Sequence, residues 1–508
     1  METNHQRIAR NTLLLYLRMF FVMCVNIYTV RLIINILGVE DYGIFSVVAG
    51  VVSMFGFLTN TMATASQRFF SFELGKNNIE KLRVTFSVTI IIYALLALIV
   101  IVLAETIGLW FLNTKLTIPS DRLEAGRWVY QFAIALFVVS IMSIPYNSAI
   151  IAKENMKVFA YVSIIEVVFK LLNVYLLSFF DFDKLKLYAV LLFISTFITQ
   201  LAYFLYCRNT YSEFKFKFIW DKTIFKKLLQ FCGWNLFGGV ASVANNYGVN
   251  ILLNLFFTPV VNAARAIAYQ IYTVVNQFVS SFIMATNPQI TKYFAENNLV
   301  EMHKLVFRSS KFSFFLLSII TFPIIFEMPF LLRLWLEDVP MHSVMFTRLI
   351  LILALIESLS YPLMTSAQAT GKIKVYQSVV GSILLLNLPI SFVFLKLNFQ
   401  PEITLYVSIF IAILSLFARL LILRTLVHLS FKIYMNDVFI RIIFVVIGST
   451  IIPISLVYLI NNVIFSFFIV SIVAVLSTLI SIYLFGFTIE ERFFFKNKVY
   501  SFITKSVH

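Results

Sequence analysis

Polar side chains are concentrated in one otherwise apolar part of the chain, between Gly233 and Pro288. An asparagine inside hydrocarbon costs free energy unless it finds a hydrogen-bond partner or faces water, and an arginine costs more. Amide and guanidinium groups in such a place can hydrogen-bond a polar ligand within the membrane. The stretch contains Arg265 and eight asparagines: Asn235, Asn245, Asn246, Asn250, Asn254, Asn262, Asn276 and Asn287.

Three predicted membrane spans each carry a polar stripe on one face, at about 100° per residue of an α-helix. Such stripes fit an aqueous or headgroup-sized cavity, or helix packing through small and amide side chains. Both interpretations stay open for span 2 (44–66) and span 7 (233–257), whereas the full charge in span 8 (263–287) favours a cavity. The stripes are Ser46, Gly50, Ser53, Phe57, Asn60 and Thr64 in span 2; Asn235, Gly239, Ser242, Asn246 and Asn250 in span 7; and Asn262, Arg265, Tyr269, Tyr272, Asn276, Ser280 and Asn287 in span 8.

Two further arginines lie inside the first predicted span. A charge near the centre of a membrane helix costs about 2.5–3.5 kcal/mol on insertion scales, so each needs a physical reason. Arg18 lies near the cytoplasmic end and Arg31 near the outer end, where a long side chain can extend towards water. Their spacing puts them about 140° apart around a regular helix. They can face one cavity together only if span 1 bends.

Two carboxylates inside predicted spans are candidates for coupling transport to an ion. Glu166 and Lys170 are spaced i,i+4 in the favourable order, which fits either a self-neutralising pair or a proton or cation site. Glu357 has no cation in its own span, so it is the better candidate for an isolated carboxylate. Arg419 in span 12 could pair with it.

The composition is that of a polytopic α-helical membrane protein. Of the 508 residues, 60% are hydrophobic and 13% are charged, and the mean hydropathy is +0.92. Apolar runs of about 18 residues or more recur along the chain, long enough to cross the bilayer core. The net charge of +16 is no sign of nucleic-acid binding, because Lys and Arg of such proteins gather in cytoplasmic loops. The three cysteines lie in or beside apolar segments, so we expect no disulfide framework.

The sequence lacks the motifs of common enzyme classes. The phosphate-binding pattern G-x-x-x-x-G-K-[ST] is missing, and the five histidines lie at helix ends or in loops without the spacing of metal ligands. There is no carboxylate cluster for glycosyl transfer. We therefore expect no enzymatic activity, no metal and no cofactor.

Fourteen spans are predicted, and the connections between them alternate in charge. One set is rich in Lys and Arg and the other is short or acidic, so both termini are expected in the cytoplasm. The even number of spans agrees with this. The spans cover residues 13–37, 44–66, 85–111, 128–151, 159–180, 186–206, 233–257, 263–287, 312–335, 344–367, 375–396, 403–424, 439–460 and 464–486.

An internal repeat divides the chain into two halves of six spans. It predicts two six-helix lobes with pseudo-two-fold symmetry around a cavity, the axis running along the membrane normal. The predicted divisions are 1–220, 221–433 and 434–508; the last has two extra spans and a basic tail, 490–508, expected on the inner membrane surface. The matching motifs are 62–64 and 284–286, 77–78 and 297–298, 143–145 and 360–362, and 152–158 and 369–375.

Several motifs resemble the polysaccharide-exporter branch of the multidrug/oligosaccharidyl-lipid/polysaccharide flippase superfamily, and more narrowly the Wzx-type O-antigen flippases. The resemblance extends from about residue 8 to 430. Many O-antigen flippases are described with twelve spans, and fourteen is similar to the related lipid II flippases. The motifs are Leu37-Gly-Val-Glu-Asp-Tyr-Gly43, Ala65-Ser-Gln-Arg-Phe69, Glu73-Leu-Gly75, Gly233-Trp-Asn-Leu-Phe237, Asn287-Pro-Gln-Ile290 and Ala367-Gln-Ala-Thr-Gly-Lys372.

The resemblance implies a transporter that moves a polyprenyl-pyrophosphate-linked oligosaccharide, an O-antigen or capsule repeat unit, across the bacterial inner membrane by alternating access. Its partners would be the lipid-linked substrate, membrane lipids, and the polymerase and glycosyltransferases of the same pathway. A guanidinium group binds such a pyrophosphate bidentately, and amide and tyrosine groups hydrogen-bond sugars. We therefore expect Arg265, supported by Arg31 or Arg18, at the pyrophosphate. Asn246, Asn250, Tyr269, Tyr272 and Asn276 would face the glycan.

Two alternatives remain at this stage. A cation-coupled multidrug antiporter of the same superfamily would use an acidic site in the first lobe, yet the spans here carry more cationic than acidic charge. A membrane-embedded glycan polymerase or ligase would need a long outward loop with essential Arg or His. The longest outward connection, 112–127, is short for that purpose.

Overall fold

The computed structural model describes residues 4–53, 56–114, 119–180, 182–257, 259–336, 338–460 and 462–493. Within these residues the chain consists of helices and short turns and contains no strand. An all-α fold satisfies every backbone polar group inside an apolar segment, as hydrocarbon requires. The all-α class predicted from hydropathy is confirmed.

In the described part of the chain, eighteen α-helices follow the predicted spans and often extend beyond them. The first nine are α1 (Asn4–Ser53), α2 (Gly56–Gly75), α3 (Ile79–Leu103), α4 (Leu109–Thr114), α5 (Leu123–Ala152), α6 (Met156–Leu176), α7 (Lys184–Thr210), α8 (Lys222–Phe256) and α9 (Pro259–Ala295). The others are α10 (Leu299–Phe326), α11 (Met328–Trp335), α12 (Ser343–Thr370), α13 (Lys374–Leu385), α14 (Asn387–Lys396), α15 (Ile403–Val427), α16 (Phe431–Tyr434), α17 (Arg441–Leu459) and α18 (Val463–Ser481).

Eleven described stretches are long and apolar enough to cross a membrane. They correspond to predicted spans 1, 3 to 6 and 9 to 14. The other three predicted spans are helical as well, span 2 in parts of α1 and α2, span 7 in α8 and span 8 in α9. The helices therefore agree with a count of about fourteen membrane spans.

The connection expected between spans 1 and 2 is not a loop. Helix α1 continues through it for 50 residues and departs from helical geometry only at Gly38 (φ 83°, ψ 163°). Glycine, which has no Cβ, takes this positive φ without a steric cost. Gly38 follows both arginines of span 1, so the helix is regular between Arg18 and Arg31 and the bend that would turn them to one face is missing there.

The described residues form two compact units. The first consists of Met1–Gly239 together with Met284–Asn297, and the second of Val240–Ile283 together with Asn298–His508. Helices α8 and α9 therefore each begin in one unit and end in the other. The division predicted from the repeat, at residues 220 and 433, rests on sequence similarity rather than compactness and stays a prediction.

Matching motifs of the repeat adopt the same local structure. Asn78 caps α3 and Asn298 caps α10, each accepting a hydrogen bond from the backbone N–H three residues later, at 3.0 and 3.2 Å. The preceding residues, Asn77 and Asn297, both have a left-handed backbone, with φ of 52° and 57°. Asparagine suits both roles, because its short amide caps helices and tolerates positive φ.

A second pair of matching turns follows α5 and α12. Each helix contains an internal proline, Pro145 or Pro362, and each is followed by a left-handed residue, Glu154 (φ 60°) or Gly371 (φ 73°). Glycine accepts that conformation freely, whereas a glutamate does so at a cost. The first half therefore keeps an unfavourable residue where the second half has the favourable one.

Three connections that the charge pattern placed on one side of the membrane meet in the first unit. Arg122, at the start of α5, donates Nε to Asp41 at 2.8 Å and Nη1 to Asp183 at 2.8 Å. Lys186 of α7 forms an ion pair with Glu124 at 2.7 Å. Acidic residues that were predicted outside the spans thus tie α1, α5 and α7 together at the same end of the unit.

A π-helical segment, Ala104–Gly108, interrupts the helix between α3 and α4. Tyr130 of α5 donates its hydroxyl to the carbonyl oxygen of Ala104 at 2.8 Å. A Cβ at Gly108 would lie 2.0 Å from the same hydroxyl oxygen. The missing side chain at Gly108 is what lets Tyr130 approach.

Substitution of Gly108 by alanine should destabilise the protein by about 1–3 kcal/mol through overpacking. Tyr130→Phe loses only a hydrogen bond, which contributes about 1 kcal/mol. Without the hydroxyl the 2.0 Å contact disappears and only a ring carbon at 3.3 Å remains, so the double variant should unfold at nearly the same temperature as Tyr130→Phe alone. Thermal unfolding in detergent of the unaltered protein, the two single variants and the double variant measures this. If the stability losses of the two single variants simply add in the double variant, the prediction is contradicted.

The two C-terminal spans pack on α10 in the second unit. Lys311 of α10 forms an ion pair with Glu491 at 2.8 Å, and Arg308 forms one with Glu490 at 3.4 Å. These contacts hold the beginning of the predicted tail against α10. Residues 494–508 lie outside the described residues, so the location of the tail on the membrane surface stays a prediction.

Candidate functional site

Arg265 lies near the start of α9 and is only 6% exposed. Its Nη2 donates to the Tyr269 hydroxyl at 3.0 Å, and its guanidinium lies 4.4 Å from the centre of the same ring. Among the described residues its Nε has no hydrogen-bond partner and the group faces no carboxylate. The buried guanidinium of Arg265 is therefore contacted by Tyr269, one turn away, and still has an N–H donor that is not used.

The next tyrosine of α9 leads from the arginine to a carboxylate. Tyr272 donates its hydroxyl to Glu357 of α12 at 2.5 Å, and its ring lies 5.7 Å from that of Tyr269. The two tyrosines thus place Arg265 and Glu357 at the ends of one row of polar groups inside the second unit. The sequence predicted these residues separately, and the structure brings them together.

Arg419 does not form the ion pair with Glu357 that its type suggested. It donates Nε to the Tyr376 hydroxyl at 3.0 Å and Nη1 to the Ser360 hydroxyl at 3.2 Å. Because it lies on α15, only the packing of the helices could decide which neighbour it would meet.

The asparagines of α8 and α9 are partly used in helix packing. Asn262 donates to the backbone and side-chain oxygens of Asn250 at 3.1 and 3.2 Å, joining the two helices near their connection. Asn276 accepts a hydrogen bond from Tyr361 at 3.4 Å. The packing interpretation thus fits Asn250 and Asn262, although among the described residues the buried Oδ1 of Asn262 accepts no hydrogen bond.

One polar cluster of the second unit was missed by sequence reasoning. Asn387, at the start of α14, is 1% exposed and donates to Asn245 at 2.6 Å and to Ser408 at 3.0 Å. The available signal was the sequence Asn-Leu-Pro inside an apolar span, where the helix is interrupted between α13 and α14. Tyr361, the donor to Asn276, was missed for a simpler reason, because tyrosine is frequent in these spans.

The candidate charges of the first unit form a separate group. Glu166 and Lys170 make the expected i,i+4 ion pair at 2.7 Å on α6. The guanidinium of Arg18 lies over the Phe159 ring, 4.8 Å from its centre, and the charge of Glu166 acts on it through space. Because Glu166 and Lys170 neutralise each other, the self-neutralising interpretation is sufficient for them. The side chains of Arg31 and Asn246 lie outside the part of the chain that the structure describes.

Known transporters share this fold. The chain aligns with a MATE transporter in complex with MaD3S (TM-score 0.69, 14% identity, 83% of this chain and 97% of that chain). It also aligns with a multidrug resistance MATE family transporter of the MOP superfamily in an outward-facing conformation (TM-score 0.70, 13% identity, 84% and 96%). A third match is a MOP superfamily transporter from Pyrococcus furiosus, described by the reverse polarity of its binding pocket (TM-score 0.68, 12% identity, 84% and 96%). At these identities the likeness shows the fold alone.

The sequence itself matches one family. No curated protein matches the chain. The family described as polysaccharide biosynthesis protein matches residues 8–294, which is more than half of the chain and agrees with the predicted resemblance to polysaccharide flippases. This match shows that the chain, which has a MATE-like helical fold, belongs to the polysaccharide biosynthesis protein family.

Proposed function

We propose that the protein flips a polyprenyl-pyrophosphate-linked oligosaccharide, an O-antigen or capsule repeat unit, across the bacterial plasma membrane by alternating access. The family match supports a step in polysaccharide assembly, and the MATE-like fold supports transport. A pyrophosphate group cannot cross hydrocarbon alone, because an uncompensated charge there is very costly. The substrate therefore needs a cationic site inside the membrane.

The buried guanidinium of Arg265 is the observation on which this proposal depends. It has unused donors and no carboxylate partner among the described residues, while its neighbour Tyr269 provides a hydroxyl and a ring. A planar guanidinium presents paired N–H donors that match phosphate oxygens. A cation kept in a span without a counterion suits an anion that arrives from outside the protein.

The glycan would be held by hydroxyl and amide groups near Arg265. Tyr269, Tyr272 and Asn276 follow Arg265 along one face of α9, and each forms a hydrogen bond with a neighbouring side chain. Asn246 and Asn250 of α8 complete the proposed set, with Asn250 already bonded to Asn262. Arg18 and Arg31 are proposed as secondary phosphate contacts.

Glu357 is the first candidate for coupling transport to an ion. Its carboxylate accepts from Tyr272 and has no ion-pair partner among the described residues, so it can be neutralised without leaving a partner unpaired. Glu166 and Lys170 are the second candidate, and their ion pair would have to separate first. The charge pattern favours both termini in the cytoplasm. The polymerase and glycosyltransferases of the same pathway would be partners that act beside this membrane or on its other side.

The test is a deletion strain analysed for three outcomes. A flippase predicts lipid-linked glycan accumulating in the inner leaflet, with loss of surface polysaccharide and unchanged drug susceptibility. Exported but unpolymerised repeat units would point to a polymerase instead. Drug sensitivity with normal surface polysaccharide would point to a multidrug antiporter and would overturn the proposal.

A further inference from the structure

Glu154 is a buried carboxylate in the turn between α5 and α6 that the transport site does not use. Its side chain is 1% exposed, and its backbone has a left-handed φ of 60°. The matching turn of the second half has Gly371, whose φ of 73° is also positive. A strained non-glycine residue persists where its surroundings fix it and its side chain has a task.

The partners of Glu154 come from two distant parts of the first unit. Arg7 of α1 forms an ion pair with its carboxylate at 2.7 Å, and Asn11 donates to its backbone oxygen at 3.2 Å. From the last turns of α9, Gln289 donates at 2.6 Å and Lys292 forms a second ion pair. One carboxylate thus joins the beginning of α1 to the end of α9.

The neighbours of Glu154 hold the turn from the other side. Lys153 pairs with Glu213, and Asn155 donates to the hydroxyls of Tyr206 at 2.8 Å and Tyr211 at 3.2 Å. The flanking side chains therefore contact α7 and the segment after it, while Glu154 alone faces α1 and α9. This arrangement fixes the backbone that presents the carboxylate.

The end of α9 fits closely against the first unit around this carboxylate. A Cβ at Gly75 would lie 2.9 Å from the backbone of Lys292 and from the side chain of Ala295. The rings of Phe72 and Phe294 are 6.3 Å apart. Helix α9 is continuous from Pro259, and its earlier residues belong to the second unit. The contact is therefore made by the same helix that carries Arg265, so breaking it can move that helix.

We propose that Glu154 is a latch that holds the end of α9 in the first unit, and that the transporter alternates between a latched and a released state of this contact. Alternating access requires such contacts to form in one state and to break in another. The latch combines a charge at Glu154 with a close fit at Gly75. Loss of either should shift the population towards the released state.

The experiment measures distances by electron paramagnetic resonance on the purified full-length chain in nanodiscs. Spin labels replace Glu80 and Glu296, two exposed residues of the first unit on either side of the contact. With Glu154 intact, a short distance should dominate. Glu154→Gln, which removes the charge but keeps the shape, should add a second and longer distance, and Gly75→Ala should do so by steric pressure.

Glu213→Gln is the matched control, because it breaks an ion pair with the adjacent Lys153 without touching α9, and it should keep the short distance. Should Glu154→Gln fail to purify as a single species, Glu154→Asp replaces it: the charge is kept, but the shorter side chain no longer reaches both Arg7 and Lys292, so the longer distance should again appear. A Glu154 variant with the unaltered short distance would overturn the latch. Glycan specificity does not enter this measurement, so its outcome is independent of the proposed substrate.

Discussion

Arg265→Ala is expected to abolish export of the lipid-linked glycan and to leave the protein at least as stable as before. Loss of one member of a buried charge pair in a complex costs about 2–5 kcal/mol, which corresponds to about 30-fold to several thousand-fold in affinity. In the free protein the same guanidinium is buried without a counterion among the described residues, so its removal relieves a cost. Function and stability should therefore change in opposite directions.

The measurement combines surface-polysaccharide assembly in a deletion strain with thermal unfolding of the purified variants. Arg265→Lys keeps the charge but not the paired donors, so it should restore export only in part. Tyr269→Phe removes the hydroxyl bonded to Nη2 and keeps the ring; because Tyr269 is itself a proposed glycan contact, this variant should lower export without abolishing it. An alanine variant that exports normally, or one that unfolds at a much lower temperature, would assign Arg265 a structural role.

Glu357→Gln is expected to remove the dependence of transport on a proton gradient. The amide retains the shape of the side chain and can still accept the hydrogen bond from Tyr272, but it cannot take up or release a proton. Transport down a substrate gradient should therefore continue, and its stimulation by an imposed pH difference should be lost. Proteoliposomes with separately imposed proton, sodium and electrical gradients measure this.

Glu166→Gln serves as the comparison in the same vesicles. Its carboxylate is already neutralised by Lys170 at 2.7 Å, so gradient stimulation should survive. If instead Glu166→Gln loses stimulation while Glu357→Gln keeps it, the coupling site is the pair on α6. Stimulation by sodium or voltage alone in every variant would reject a proton site at either carboxylate.

Much of the fold was predictable because hydrocarbon imposes simple rules. The spans follow from apolar length alone, and the alternating charge of the loops placed Asp41, Asp183 and Arg122 on one side, where the structure has them in contact. The repeat identified matching positions, and at one such pair Asn78 and Asn298 cap their helices in the same way. These signals are local or periodic, so no knowledge of packing was needed.

What the sequence could not predict is which polar groups meet. The structure pairs Tyr272 with Glu357 and gives Arg419 to Tyr376 and Ser360, although charge alone suggested Arg419 for Glu357. It also places Glu154 beside Gln289 and Lys292. The single sequence signal for this arrangement is that Glu154 stands where the second half of the repeat has Gly371.

The physical reason is the direction of side chains. Helical periodicity tells which residues of one helix share a face, and hydropathy tells which helices cross the membrane. Neither quantity contains the rotation and height of one helix against the next, which arise from the packing of all side chains together. The sequence alone therefore determined the class of protein, the span count and the buried charge Arg265. Only the tertiary structure decided that this charge has a tyrosine and no carboxylate beside it among the described residues.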